Sequence, residues 1–225
     1  MVLTDIKYLC FFLLSINACI FSTNRNNPEK KLINNKMVNQ TLSSSNEDCE
    51  VKISLLIKDE FMAECTINIK NKTSGNLYFF NRIYTEYSDE GFFEVDKNLF
   101  YAYIDGHNRL LMAKAIIPVP EGLQVEKEIY PCCTKILAGT AFEEKLAIKL
   151  PIKLYGPYET QKDKIEKDYS ASFRLGYFVG HDQTESMEIK VHTKEGEELI
   201  YFDPFDYKFQ KIIQVGEFNP LPVSK

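Results

Sequence analysis

Hydrophobic and polar residues alternate with a period of two through much of this chain. Over residues 50–57, Val51, Ile53, Leu55 and Ile57 are interleaved with Lys52 and Ser54, which places four aliphatics on one face of an extended segment. Residues 65–70 repeat the pattern, and six turn-prone residues, 71–76, then lead into the apolar run Leu77-Tyr78-Phe79-Phe80. Residues 101–104 and 109–113 flank Asp105-Gly106-His107-Asn108, a sequence that predicts a hairpin with a glycine at positive φ. Further strands are predicted near 129–130, 145–150, 173–179, 187–191, 199–202 and 211–215. Prolines 118, 120, 151 and 157 mark sheet edges or crossovers. Residues 159–167 form a candidate charged helix, and a short helix across residues 30–40 is the alternative to irregular chain there.

Short strands with no helical run between them predict an all-β fold, an antiparallel immunoglobulin-like β-sandwich with at most one short helix. Composition agrees: 16 Phe and 13 Tyr, with no Trp, suit strands better than helices. The absent Trp also removes the core residue typical of antibody domains.

The first residues break this pattern. A single Lys7 precedes the apolar run 8–16, which stops at Ile16-Asn17-Ala18-Cys19. The run is about nine residues against the roughly 20 needed to span a bilayer, so it reads as a secretory signal peptide over 1–18. Ile16-Asn17-Ala18-Cys19 resembles the lipobox of bacterial lipoproteins, with Asn17 in place of the usual small residue. The resemblance implies lipidation at Cys19, and Ile20, standing where Asp would signal inner-membrane retention, implies the outer membrane. An ordinary cut near Ala18 and an uncleaved anchor are the alternatives. Residues 19–48 are rich in Asn and Ser and poor in apolar residues, the composition of a flexible tether with a reach of roughly 30 Å. Residues 49–225 are then expected to form a single β domain, long enough to bury a core.

The middle of the chain resembles domains of poorly characterised bacterial exported proteins with an immunoglobulin-like sandwich. The residues that carry the likeness are Ile69-Lys70-Asn71-Lys72-Thr73, Ile117-Pro118-Val119-Pro120, Pro131-Cys132-Cys133-Thr134, Ala138-Gly139-Thr140-Ala141-Phe142 and Leu150-Pro151-Ile152. It covers roughly residues 50–180 and implies fold and export, with no activity attached.

A net charge of −5 with no run of five like charges argues against a nucleic-acid partner. With Cys10 in the signal peptide and Cys19 assigned to lipid, Cys49, Cys65, Cys132 and Cys133 remain, an even number that in an oxidising compartment predicts disulfides. Pairing of 50–57 with 63–70 places Cys65 opposite about Leu55, far from Cys49, so at least one disulfide joining Cys132 or Cys133 to Cys49 or Cys65 is expected; a bond between the adjacent Cys132 and Cys133, which needs a strained ring, is the alternative. Adjacent cysteines lack metal-ligand spacing, and neither a metal nor another cofactor is expected. His107, His181 and His192 sit in no nucleophile or metallopeptidase motif, and no glycine-rich phosphate loop or calcium loop is present. His181 with Asp182 and one of Ser170, Ser172 or Ser186 would be the only triad to consider. Residues 84–103 interleave acids with rings, and Glu90, Phe92, Phe93 and Glu94 are the candidate residues for binding a basic protein partner. A ring-inward, acid-outward strand accounts for the same alternation.

These features predict a non-catalytic binding protein of the bacterial cell envelope, of immunity or assembly type. It is held to a membrane by its N-terminal lipid and faces the periplasm or cell surface. An envelope hydrolase assembled from distant loops around His181, and a structural or adhesive surface domain, are the alternatives.

Overall fold

Fifteen strands account for most of the chain described by a computed structural model, which covers residues 38–87, 93–105, 107–125, 131–158, 169–181 and 183–224. They are β1 (Val38–Ser45), β2 (Cys49–Ile57), β3 (Met62–Asn71), β4 (Leu77–Tyr87), β5 (Phe93–Asp96), β6 (Tyr101–Ile104), β7 (Leu110–Lys114), β8 (Cys132–Ile136), β9 (Ala141–Lys149), β10 (Ile152–Lys153), β11 (Tyr169–Val179), β12 (Ile189–His192), β13 (Glu198–Tyr201), β14 (Lys211–Leu221) and β15 (Val223–Ser224). Two short 3-10 turns, Thr184–Met187 and Tyr207–Phe209, are the only helical segments among the described residues. The fold is therefore nearly all β, as the alternation predicts. The candidate helix over 159–167, the strand near 129–130 and Gly106 lie outside the described residues.

A four-stranded antiparallel sheet runs β1-β2-β3-β9. Its register follows the sequence pattern: Ile53 faces Ile67, Leu55 faces Cys65 and Val51 faces Ile69. The second sheet runs β12-β13-β8-β4-β11-β7-β6, with β14 on β11 and β5 on β4. Aliphatics of β2, β3 and β9 share one core with Leu77, Phe79, Phe173, Leu175, Val215 and Phe218 of the larger sheet. On the opposite face of the larger sheet, Tyr78, Phe80, Phe178, Leu199, Tyr201 and Phe202 make a second core. Its rings are offset and edge-on, with Tyr78 stacked on Phe178 at 4.8 Å and Phe202 edge-on to Phe178 at 5.1 Å. β4 is covered on both faces, and a strand in that position carries a continuous apolar run rather than an alternating one.

Two expectations are corrected. The sheets are mixed rather than purely antiparallel, because β7 pairs parallel with β11, Leu110 opposite Ala171 and Met112 opposite Phe173, and β10 pairs parallel with β15. A parallel pair needs a long crossover, and the chain between β7 and β11, which also forms β8, β9 and β10, supplies it. The stretch to residue 48 also contains β1, in eight-residue register with β2. Ser, Thr, Asn and Gln pair here because the ladder bonds are backbone bonds. Leu42 packs against the core, Thr41 Oγ1 meets Ser54 Oγ at 2.8 Å, and Gln40 accepts from the N–H of Asn219 at 2.8 Å.

The β6–β7 hairpin forms as expected, Ile104 opposite Leu110. Among the described residues of its turn, Asn108 takes a positive φ of 60°, a region that residue type tolerates. Asp105 braces the turn, its Oδ1 accepting from the N–H groups of His107 and Arg109, both at 2.9 Å.

Candidate functional site

The β4–β5 ladder brings the acidic, ring-rich segment together. Its register sets Tyr87 opposite Phe93, Glu86 opposite Glu94 and Tyr84 opposite Val95. The Glu94 carboxylate carries an ammonium: Lys194 Nζ, from the turn between β12 and β13, donates to Oε1 at 2.8 Å. Of the four predicted partner-binding residues, Glu94 is thus half-buried in an ion pair and Phe93 opens β5. Glu90 and Phe92 lie outside the described residues.

His181 lies in a cleft of about 180 Å³ lined by Gly75, Asn76, Tyr78, Gly180, His181 and Glu185. β4 and β11 build it, Tyr78 opposite Phe178, and the Gly180 N–H donates to the Asn76 carbonyl at 2.8 Å where both strands run out. Gly180 is required there, since a Cβ would collide with the Tyr78 ring. Lys135 Nζ sits between Glu185 (2.8 Å) and Glu188 (2.9 Å). Asn76 Nδ2 donates to Glu185 at 2.8 Å, and the Tyr78 hydroxyl to Glu188 at 2.6 Å. Burial pushes the Tyr78 phenol up and its bond to Glu188 adds to that. Burial would also raise Glu188, yet the bonds from Tyr78 and Lys135 outweigh it and hold the carboxyl low. Burial would lower Lys135, yet the two glutamates outweigh it and raise the ammonium. All three keep one protonation state near neutrality, the opposite of what a general acid or base requires.

Of the three candidate serines of a triad, Ser170 and Ser172 lie on β11 and Ser186 in the Thr184–Met187 turn. Ser186 donates its hydroxyl to the Gln183 carbonyl at 2.7 Å. Ser172 stands nine residues before His181, along a strand that advances about 3.3 Å per residue, and its buried Oγ has no hydrogen-bond partner among the described residues. Asp182 lies outside the described residues. His107 is in the β6–β7 turn, and His192, exposed on β12, has Nε2 3.8 Å from Glu198. Among the described residues no group of three or more His, Cys, Asp or Glu is placed to hold a metal ion.

The expected disulfide does not form: Cys49, Cys65, Cys132 and Cys133 are all free and buried. Cys65 stands opposite Leu55 as expected and Cys49 opposite Asn71. These two lie in the core between the sheets, whereas Cys132 and Cys133 lie in the core on the far face of the larger sheet. Burial pushes the Cys49 thiol up to about 11 and those of Cys65 and Cys132 up to about 12, and raises Cys133 as well. Buried neutral thiols of this kind are poor nucleophiles.

Reading the sequence alone misses a buried charge cluster. Glu144 of β9, Arg82 and Asn81 of β4 and Lys114 of β7 are all buried, Lys114 completely. Arg82 pairs with Glu144 and, through Nη2, with Glu197 at 3.0 Å. Lys114 Nζ donates to the carbonyls of Asn81 (2.8 Å) and Lys97 (2.5 Å) and lies 4.8 Å from the Phe100 ring centre. Two signals point to it: Glu144 shares the alternating face of Leu146 and Ile148, and Lys114 interrupts the apolar run 110–117. The cluster ties β4, β7 and β9 together, and every charged group in it has a partner inside the protein.

Comparison of the chain with protein-family models, with curated proteins and with solved structures finds no match.

Proposed function

We propose that this is a lipid-anchored, non-catalytic binding protein of the bacterial cell envelope that engages a basic protein partner through the acidic, ring-bearing β4–β5 hairpin. The observation that carries the reading is the register of Glu86 against Glu94, with a lysine ammonium already seated on Glu94. Like charges set opposite each other cost stability. A surface that keeps them is suited to a cationic ligand, whose approach they steer. The rings of the same segment supply the apolar anchors of such an interface. The leader ending at Ala18, directly ahead of Cys19, supports export and attachment, and Ile20 supports the outer membrane. The two facing sheets are read as an immunoglobulin-like sandwich in which the β7–β11 pair departs from the antiparallel pattern.

The test is complementation of a deletion strain at equal protein abundance. Changing Phe92 and Phe93 to Ala and Glu90 and Glu94 to Lys is expected to abolish the phenotype, an interface loss of about 2 kcal/mol or roughly 30-fold in affinity at the least. Lys194→Ala, which breaks an exposed ion pair, is expected to retain it. His181→Ala is also expected to retain it. Loss in the His181 variant with the hairpin variant intact would replace this reading with the hydrolase.

A further inference from the structure

Phe61, in the turn between β2 and β3, and Met62, the first residue of β3, are two adjacent apolar side chains that the described residues leave exposed. Phe61 is 68 % exposed, more than any other large hydrophobic residue described, and Met62 is 39 % exposed. The turn is braced rather than loose. Asp59 Oδ1 accepts from the N–H of Phe61 at 2.8 Å and of Met62 at 2.9 Å. The Met62 carbonyl takes the N–H of Lys58 at 3.0 Å and of Asp59 at 3.3 Å, and the Phe61 carbonyl takes the N–H of Leu150 at 2.7 Å. Every backbone polar group of Phe61 and Met62 is therefore satisfied from within the chain. That is the condition under which backbone can approach hydrocarbon without a desolvation cost.

The position of the turn adds a second observation. Val38 stands opposite Ile57, so β1, the strand through which the chain enters from residues 1–37, begins at the same end of the four-stranded sheet as the turn. Neighbouring strands lie about 4.8 Å apart, which puts the start of β1 within roughly 15 Å of Phe61. The chain from Cys19 to Val38 reaches at most roughly 65 Å when fully extended.

We infer that Phe61 and Met62 are this protein's contact with the bilayer surface, inserting at the boundary between headgroups and acyl chains of the membrane that holds the amino-terminal lipid. The inference rests on the lipid-anchor reading above. Two side chains are too little to hold a protein on a membrane alone, since even a single myristoyl chain binds marginally. Tethering by the lipid makes the contact intramolecular, and the turn then sets which end of the four-stranded sheet faces the bilayer. The charges around it suit zwitterionic headgroups: Lys58 is paired with Glu64 at 3.1 Å, and Asp59 and Glu60 offset the exposed Lys149 that stands opposite Met62.

The chain has no Trp, so Phe61→Trp installs a single reporter at the turn. The full chain, isolated with the amino terminus it acquires in cells, is reconstituted into phosphatidylcholine vesicles carrying acyl-brominated lipid. Phe209→Trp, at a 63 % exposed ring in the Tyr207–Phe209 turn, serves as the control. The expected result is blue-shifted indole emission from the Phe61→Trp variant, quenched severalfold more than that of the Phe209→Trp control, with quenching reduced when Met62→Ser is added. Mass spectrometry of the amino terminus is read on the same samples. An acylated Cys19 together with water-like, unquenched emission from the Phe61→Trp variant overturns the turn contact alone, including the case in which a protein covers it. A terminus without acyl mass overturns the anchor, and this inference with it.

Discussion

Glu144→Ala removes the only buried acid that Arg82 meets among the described residues, and its cost measures how far the charge cluster holds the two sheets together. Arg82 and Glu144 side chains are 9 % and 5 % exposed, so both are largely desolvated. Breaking a buried pair by deleting one partner costs about 3–5 kcal/mol, because the remaining charge is left uncompensated. Arg82 keeps Glu197, which is 46 % exposed and therefore screened, so the lower end of that range applies: about 3 kcal/mol. At about 2–4 °C per kcal/mol for a unit of this size, the melting temperature falls by roughly 6–12 °C. Urea unfolding followed by circular dichroism on the full chain reads the difference, with an unchanged m-value confirming the same folded and unfolded states. The double variant Arg82→Met/Glu144→Leu should recover most of the loss, since an apolar pair of similar volume replaces a buried ion pair at little or no cost. A loss below about 1 kcal/mol for Glu144→Ala, or a double variant as unstable as the single, would refute the reasoning.

Burial pushes the Lys114 ammonium down to about 8, with Arg82 adding to the fall and Glu144 opposing it. The unfolded chain then binds more protons at this site between about pH 8 and its ordinary 10.5, so its contribution makes stability rise with pH across that window. The buried thiols act in the opposite direction at high pH. The measurement is therefore the difference in pH slope between wild type and Lys114→Met, and equal slopes would contradict the assignment. Ser172→Ala should leave stability unchanged or raise it by about 1 kcal/mol, because its buried Oγ has no hydrogen-bond partner among the described residues. A loss larger than that in chemical denaturation would mean that the hydroxyl is bonded.

Part of this fold is decided within each segment taken alone. Alternation is a property of consecutive residues, so the β2–β3 pairing, with Cys65 opposite Leu55, and the β6–β7 hairpin across its Asp105 turn are legible in the residues themselves. The all-β class follows from the same signal. β1 is not legible, because its Ser- and Asn-rich residues lack the apolar alternation by which a strand is recognised, and its pairing rests on the free backbone edge of β2. Nor is the parallel contact of β7 with β11, since alternation says which face a side chain takes and nothing about which distant strand lies alongside. The same limit governs the chemistry. Glu144, Arg82 and Lys114 read separately as charges near apolar runs, and only three strands drawn from distant parts of the chain make them one buried cluster. The four cysteines invite disulfides by their number, while the tertiary structure divides Cys49 and Cys65 from Cys132 and Cys133, placing the two pairs in cores on opposite faces of one sheet and leaving all four free.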